Sequence, residues 1–119
     1  MNEFIKAYEL ALASQDWNEL SPLVHDDCVV TFSEGTHKGK EQVEAAFRKT
    51  FALIKDETYK ISHIYCAIES DSVAVFSFNF DWSGVIDGKI ESGGGRGTST
   101  IVRSGKQWQL ISEHLGPNA

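Results

Sequence analysis

Four polar residues near the C-terminal end of the chain carry side chains suited to acid/base chemistry: Arg96, Thr98, Ser112 and His114. A histidine exchanges protons near neutral pH, so His114 is the leading candidate for a general acid or base. Arg96 could hold an anionic or enolate oxygen, or lower the proton affinity of the histidine, and the two hydroxyls could orient either group. Together they predict proton abstraction beside a carbonyl, dehydration or an intramolecular aldol closure.

Other titratable residues give weaker signals. Tyr8 shares a helical face with Phe4 and Leu12, so a core tyrosine with a satisfied hydroxyl and a catalytic tyrosine are both open. Glu34 and His37 lie in the loop after the first predicted strand, where a single histidine is usually solvated. The histidines show no metal-ligand spacing with cysteines or carboxylates, so we predict no metal and no cofactor.

The first third of the chain is predicted to be helical. Asp16 begins a capping-box pattern, which predicts a second short helix with a kink or stop near Ser21, because Pro22 lies inside it. A third amphipathic helix is predicted from about residue 40 to 55. The first helix has its apolar residues at the spacing of one face: Phe4, Ile5, Tyr8, Ala11 and Leu12.

Strand signals dominate the rest of the chain. Residues 28–33 form a short β-branched run, followed by a predicted loop at 34–39. Asp87-Gly88 is typical of a two-residue hairpin turn. Four further strands with a period of two are predicted at 59–68, 72–82, 96–103 and 107–115. Helices gathered before an antiparallel sheet predict an α+β layer fold.

Strand alternation divides the predicted sheet into two faces. The helices should cover the aromatic face, which carries Phe76, Phe78, Phe80 and Trp82. A three-residue turn at 104–106 would place Arg103 opposite Gln107. The covered face would then carry the following residues of the last two strands: Arg96, Thr98, Thr100, Val102, Trp108, Leu110, Ser112 and His114.

This register predicts a pocket with an apolar end at Trp108 and a polar end at Arg96 and His114, because burying an unpaired arginine is costly without an acceptor, water or ligand. In the alternative, Arg96 and His114 lie solvated at the sheet edge. The outer face would carry Val73, Val75, Ser77, Asn79, Gln107, Ile101, Gln109, Ile111 and Glu113. So many exposed aliphatic groups suggest a partner.

Composition sets the remaining limits. The 119 residues are expected to form one domain, 1–119. The net charge of -6 and the scattered basic residues argue against nucleic-acid binding. No apolar run approaches the roughly 18 residues that span a bilayer, so we predict no membrane partner and a cytoplasmic location. Cys28 and Cys66 are expected to be reduced thiols.

The terminal hairpin carries a family resemblance. Gly95-Arg96-Gly97-Thr98, Gly105-Lys106, Trp108 and Glu113-His114 resemble the last hairpin of SnoaL-like domains in the nuclear transport factor 2-like superfamily. The same ending resembles the association domain of calmodulin-dependent kinase II, and residues 8–16 and 25–27 are similar to the first helix and strand entry of ketosteroid isomerases. The resemblance implies a cone-shaped, cystatin-like fold, with N-terminal helices packed on a curved antiparallel sheet, and a homodimer through the outer sheet face.

The isomerase residues carry over only in part. The isomerases use a tyrosine of the first helix as an oxyanion donor, and Tyr8 matches it without a gap. The same match places Phe32 where their carboxylate base should be, and Gly97 or Thr98 near their protonated aspartic acid. Because both carboxylates are missing, the resemblance does not support steroid isomerisation by that route.

The expected function is a pocket for a small, partly apolar ligand that is carbonyl-bearing or anionic, with acid/base catalysis by His114, Arg96 and Tyr8. The alternative is a ligand-binding or dimerisation domain without enzymatic activity. The expected ligand-binding residues are Trp17, Phe32, Phe78, Phe80, Trp82, Thr98, Trp108 and Ser112.

Overall fold

The computed structural model describes residues 1–117, which form three α-helices and six β-strands. The helices are α1 (Asn2–Ser14), α2 (Trp17–Leu20) and α3 (Lys40–Leu53), and a 3-10 turn spans Ser21–Leu23. The strands are β1 (Val24–Phe32), β2 (Gly35–Lys38), β3 (Lys55–Glu69), β4 (Val73–Ile86), β5 (Lys89–Ser104) and β6 (Gln107–Gly116).

The predicted helices are confirmed. The predicted apolar face of α1 is buried along its whole length. The helix ends at Ser14, and the residue that caps it, Gln15, adopts a left-handed conformation with φ 57°. The Asp16 side chain then accepts a hydrogen bond of 2.9 Å from the backbone N–H of Asn18 and caps α2. Pro22 ends α2 and lies in the 3-10 turn that leads into β1.

The six strands form one sheet in the order β2-β1-β6-β5-β4-β3. It is mixed rather than wholly antiparallel, because β1 runs parallel to β6. Alternation indicates which face a residue occupies but not the direction of its strand, so the pattern did not reveal this pair. The predicted loop at 34–39 is also wrong in part, since β2 pairs with β1 within it.

The core lies between the helices and the concave face of the sheet. The predicted aromatic face of β4 is confirmed, with Phe76 and Phe78 almost fully buried against the helical layer. Phe80 and Trp82 continue along the same face but are only half-buried. The packing is therefore closed at one end of β4 and looser at the other.

The predicted register of the last hairpin is wrong by one residue on β5. Ser104 pairs with Gln107, so the turn has two residues, with Gly105 at φ 65°. A shift of one residue sends every side chain of a strand to the opposite face. Ile101, predicted to face outward, is consequently fully buried beside Leu110.

A β-bulge exchanges the two faces of β6 part-way along the strand. Ile101 pairs with Leu110, but Thr100 pairs with Ser112, so Ile111 is the extra residue of a β-bulge. Beyond the bulge the side chains of β6 exchange faces. Glu113, predicted to face outward, is therefore buried in the core.

The outer face keeps Val73, Val75, Ser77 and Asn79, all half-buried, as predicted. Within residues 1–117 no helix is long and apolar enough to cross a membrane. The homodimer through this face and the cytoplasmic location stay predictions.

Candidate functional site

A cavity of about 170 Å³ opens where the loose end of the sheet meets α1 and α3. Most of its wall is apolar, and it is notably rich in aromatic rings: Tyr8, Phe32, Phe47, Phe51, Tyr59 and Trp82. The polar groups of its wall are Glu34, Thr50, Glu57 and Glu113. Such a combination of apolar walls with few polar groups is typical of small-molecule sites.

Glu113 is the buried polar centre of this cavity, with only 2% of its surface exposed. The Tyr8 hydroxyl donates a hydrogen bond of 2.8 Å to its Oε2 atom. The Ser99 hydroxyl donates one of 3.0 Å to Oε1. Each carboxylate oxygen therefore has one donor and keeps a lone pair free.

Three separate elements bring this triad together. The buried face of α1 points Tyr8 at the sheet. The two-residue turn before β6 sets the register that sends Ser99 inward, and the bulge at Ile111 sends Glu113 inward beside it. With a turn one residue longer Ser99 would face outward, and without the bulge Glu113 would face outward.

Burial controls the electrostatics of the triad. It raises the pKa of Glu113 to about 7, although the hydrogen bonds from Tyr8 and Ser99 lower the pKa in part. Burial also raises the pKa of Tyr8 well above its usual value, and the nearby Glu113 charge adds to the rise. At neutral pH the cavity thus contains a neutral phenol and a carboxyl group poised to gain or lose a proton.

The mouth of the cavity carries two more carboxyl groups. Burial raises the pKa of the half-buried Glu57 to about 7. Glu34 is exposed and lies 3.3 Å from the His37 ring, which in turn stands against Phe32 with ring centroids 5.8 Å apart. Within the part of the chain that the structure describes, no cluster of three His, Cys, Asp or Glu side chains could hold a metal ion.

Some of the predicted ligand-binding residues line this region. Phe32 and Trp82 line the cavity itself, as does Tyr8, which was predicted as a catalytic residue. Phe80 lines an adjoining space of about 340 Å³ that shares Phe32, Trp82 and Leu115 with it.

Three other predicted ligand-binding aromatics lie away from the cavity wall. Trp17 is buried and stacks on Phe47, with centroids 6.3 Å apart. Phe78 lies in the core, and Trp108 lies at the far end of the sheet, 6.0 Å from the Arg103 guanidinium carbon.

The polar set predicted to face the pocket lies on the other side of the sheet. Arg96, Thr98 and His114 are exposed and line an open groove of about 380 Å³ on the outer face. Arg96 and Thr98 face outward because the turn before β6 has two residues rather than the predicted three. His114 and Ser112 face outward because of the bulge at Ile111. The predicted placement of these four on the covered face is therefore wrong.

Sequence reasoning missed Ser99, Glu113 and Glu57. A signal for the first existed, because the two-residue turn at Gly105-Lys106 would have placed the aliphatic Ile101 beside Leu110 and Ser99 on the same face. The bulge at Ile111 leaves no distinct mark in the sequence, so nothing indicated that Glu113 turns inward.

Comparisons with known proteins agree with this architecture. Residues 1–117 match the SnoaL-like domain family. A comparison with curated protein sequences gives no match.

Solved structures extend the agreement. A nuclear transport factor 2-like superfamily protein from Salmonella enterica superposes with a TM-score of 0.88 at 17% identity, covering 98% of this chain and 87% of that one. A putative calcium/calmodulin dependent protein kinase II association domain from Xanthomonas campestris gives 0.81 at 21% identity, with 92% and 79% covered. A putative scytalone dehydratase from Novosphingobium aromaticivorans gives 0.82 at 17%, with 96% and 78% covered. These likenesses confirm the predicted nuclear transport factor 2-like fold of the α+β class.

Proposed function

The chain belongs to the SnoaL-like domain family, and we propose that it binds a ring-sized, partly apolar carbonyl compound with Glu113 as the hydrogen-bond donor. The observation that carries this proposal is a carboxyl group buried at the wall of an aromatic cavity and held there by Tyr8 and Ser99.

The size of the cavity sets the size of the ligand. A cavity of about 150 Å³ holds one benzene molecule, so the space of about 170 Å³ beside Glu113 accepts one substituted ring. The adjoining space past Phe32 and Trp82 leaves room for a further substituent.

The polar groups of the cavity set the chemistry. Protonated Glu113 can donate its own hydrogen to a ligand oxygen while its other lone pairs accept from Tyr8 and Ser99. A carbonyl oxygen is the acceptor that this donor fits. An anionic ligand lacks support, because the cavity wall carries three carboxyl groups among its described residues and Arg96 lies on the outer face.

In this proposal Glu113, rather than His114, is the acid/base group. The putative scytalone dehydratase among the structural relatives supports acid/base chemistry as one use of this fold, while the residues for it must come from this chain.

The proposal is tested by acetophenone binding, measured by ligand-observed NMR at pH 5.5 and pH 8.5. With the pKa of Glu113 at about 7, the protonated fraction falls from nearly all to a few per cent, and the affinity should fall about 30-fold. The variant Glu113→Gln, which cannot ionise, should bind equally at both pH values. His114→Ala should behave like the wild type.

Equal wild-type affinity at the two pH values would show that Glu113 is not the donor. A loss of binding in His114→Ala would show that the ligand binds in the outer groove instead.

A further inference from the structure

We propose that Glu57 is the second acid/base group of the cavity, and that it removes a proton from the carbon beside the carbonyl of the bound ligand. This inference rests on the proposed function, because it requires a carbonyl compound held by Glu113. Binding requires only Glu113, whereas catalysis also requires a base, and Glu57 is that base.

A β-bulge directs Glu57 into the cavity. Lys55 pairs with Val85 and Thr58 with Ser83, so two residues of β3, Asp56 and Glu57, stand opposite one residue of β4. Asp56 has φ 51°, a left-handed conformation that costs free energy in a residue other than glycine. Bulges next to functional sites commonly redirect a side chain in this way. Here Glu57 becomes part of the cavity wall at the edge of the sheet.

The residue of β4 opposite the bulge is a buried glycine. A Cβ atom at Gly84 would overlap the side chain of Ile54 and lie 2.9 Å from the backbone oxygen of Lys55. It would also lie 3.5 Å from the Cα atom of Glu57. The close approach of the two strands therefore requires glycine at this position, and it fixes the backbone that carries Glu57.

The two carboxyl groups of the cavity differ in their surroundings. Glu113 is fully buried and accepts two hydrogen bonds. Glu57 is half-buried at the mouth, and within residues 1–117 the cause of its raised pKa is burial alone, with no hydrogen bond or ion pair to hold the charge. Because no donor occupies its oxygens, the ionised Glu57 carboxylate is free to approach a C–H bond of the ligand. Its position at the mouth also lets it exchange protons with water.

The remaining titratable groups around the cavity are Tyr8, Glu34 and Tyr59. Tyr59 stands two residues after Glu57 on β3, and burial raises its pKa, with further contributions from Glu113 and then Glu57. Both carboxyl groups therefore lie close enough to raise the pKa of the same Tyr59 hydroxyl in the cavity. Glu34 is exposed and lies 3.3 Å from the His37 ring nitrogen. Glu69, exposed at the other end of β3 and outside the cavity wall, is the control carboxyl group.

The step balances without a cofactor. The carboxylate of Glu57 takes a hydrogen from the carbon beside the carbonyl as a proton, and the electron pair of that C–H bond forms a carbon–carbon double bond. The carbonyl electrons move onto oxygen, which takes the proton of Glu113. The reverse step returns a proton to carbon, and in heavy water the Glu57 carboxyl exchanges with solvent and returns a deuteron.

The experiment follows loss of the methyl signal of acetophenone in heavy water by proton NMR. The wild type should exchange the methyl hydrogens faster than buffer does, with a rate that falls on both sides of neutrality. Glu57→Gln should lower the enzymatic rate about 100-fold and remove the acidic limb of the pH profile, while the pH-dependent binding of acetophenone stays. Glu57→Asp should recover part of the rate, and Glu69→Gln, at the far end of the same strand and outside the cavity wall, should match the wild type.

Several outcomes would overturn the role of Glu57 and leave the binding proposal intact. One is exchange no faster than buffer in a wild type that binds acetophenone. The others are an unchanged rate in Glu57→Gln and an equal loss of rate in Glu69→Gln. Absence of pH-dependent binding would overturn both proposals. A thermal unfolding curve for each variant separates a lost base from a lost fold.

Discussion

The two faces of the hairpin formed by β5 and β6 carry opposite kinds of side chain. The inner face has Gly95, Gly97 and Ser99 on β5, with Glu113 on β6. The outer face has its polar and basic groups in an open groove: Arg96, Thr98 and His114. Neighbours one residue apart in the sequence therefore lie in water on one side and in the core on the other.

This difference shows that surroundings, more than residue type, decide where chemistry can occur. His114 and Arg96 are the more reactive types, but on the outer face water screens their charges. Glu113 is an ordinary carboxyl group whose pKa burial raises to about 7. The inner face thus converts a common residue into a group that exchanges protons at neutral pH.

The largest expected effect comes from adding one methyl group to the inner face. A Cβ atom at Gly95 would overlap the backbone oxygen of Gly116 and lie 2.8 Å from the ring of Phe80. Because backbone cannot move aside as a side-chain end can, Gly95→Ala should cost more than about 3 kcal/mol. Arg96→Ala, one residue away on the outer face, should cost less than about 1 kcal/mol. Urea unfolding of the two variants measures both.

Similar costs for Gly95→Ala and Arg96→Ala would mean that β5 tolerates bulk on either face. The assignment of the two faces would then be wrong.

The second prediction concerns the pH dependence of stability. The folded-state pKa of Glu113, about 7, lies above its usual value of 4.5, so the folded protein holds a proton that the unfolded chain releases between these values. The free energy of unfolding should therefore be highest below about pH 4.5 for this group and fall as the pH rises to about 7. The loss amounts to about 3 kcal/mol.

Glu113→Gln should remove the part of the decline that Glu113 causes and leave the part due to Glu57, whose pKa burial also raises to about 7. His114→Gln on the exposed outer face should keep the whole decline. Chemical unfolding at pH 5, 6, 7 and 8 provides the comparison. A decline of the same size in Glu113→Gln would assign the proton to another group.

Much of the fold followed from periodicity alone. The buried face of α1, the cap at Asp16 and the aromatic face of β4 each rest on a repeat that packing must obey. Such repeats tolerate small errors, because a helix end misplaced by two residues moves no side chain to another face.

The site could not be predicted in the same way, because it depends on single residues. A predicted turn of three residues, where the turn at Gly105 has two, reversed the predicted faces of β5. The bulge at Ile111, which was not predicted, reversed the predicted faces of β6. A period of two has no tolerance for such slips. The bulge at Asp56, which directs Glu57, likewise follows from tertiary packing against Gly84 rather than from any local pattern.

The smallest expected effect separates Ser99 from Thr100, which are adjacent on β5 and face opposite ways. Ser99 is 1% exposed and donates to Glu113, so Ser99→Ala leaves one carboxylate oxygen without its donor. The cost should be about 2 kcal/mol at pH 8, where Glu113 is ionised, and about 1 kcal/mol at pH 5, where it is protonated. Thr100→Val, which removes a hydroxyl from the outer face, should cost less than about 0.5 kcal/mol at either pH. An equal cost of Ser99→Ala at both pH values would mean that Glu113 does not change its charge across this range, and the acid/base role of the inner face would fall with it.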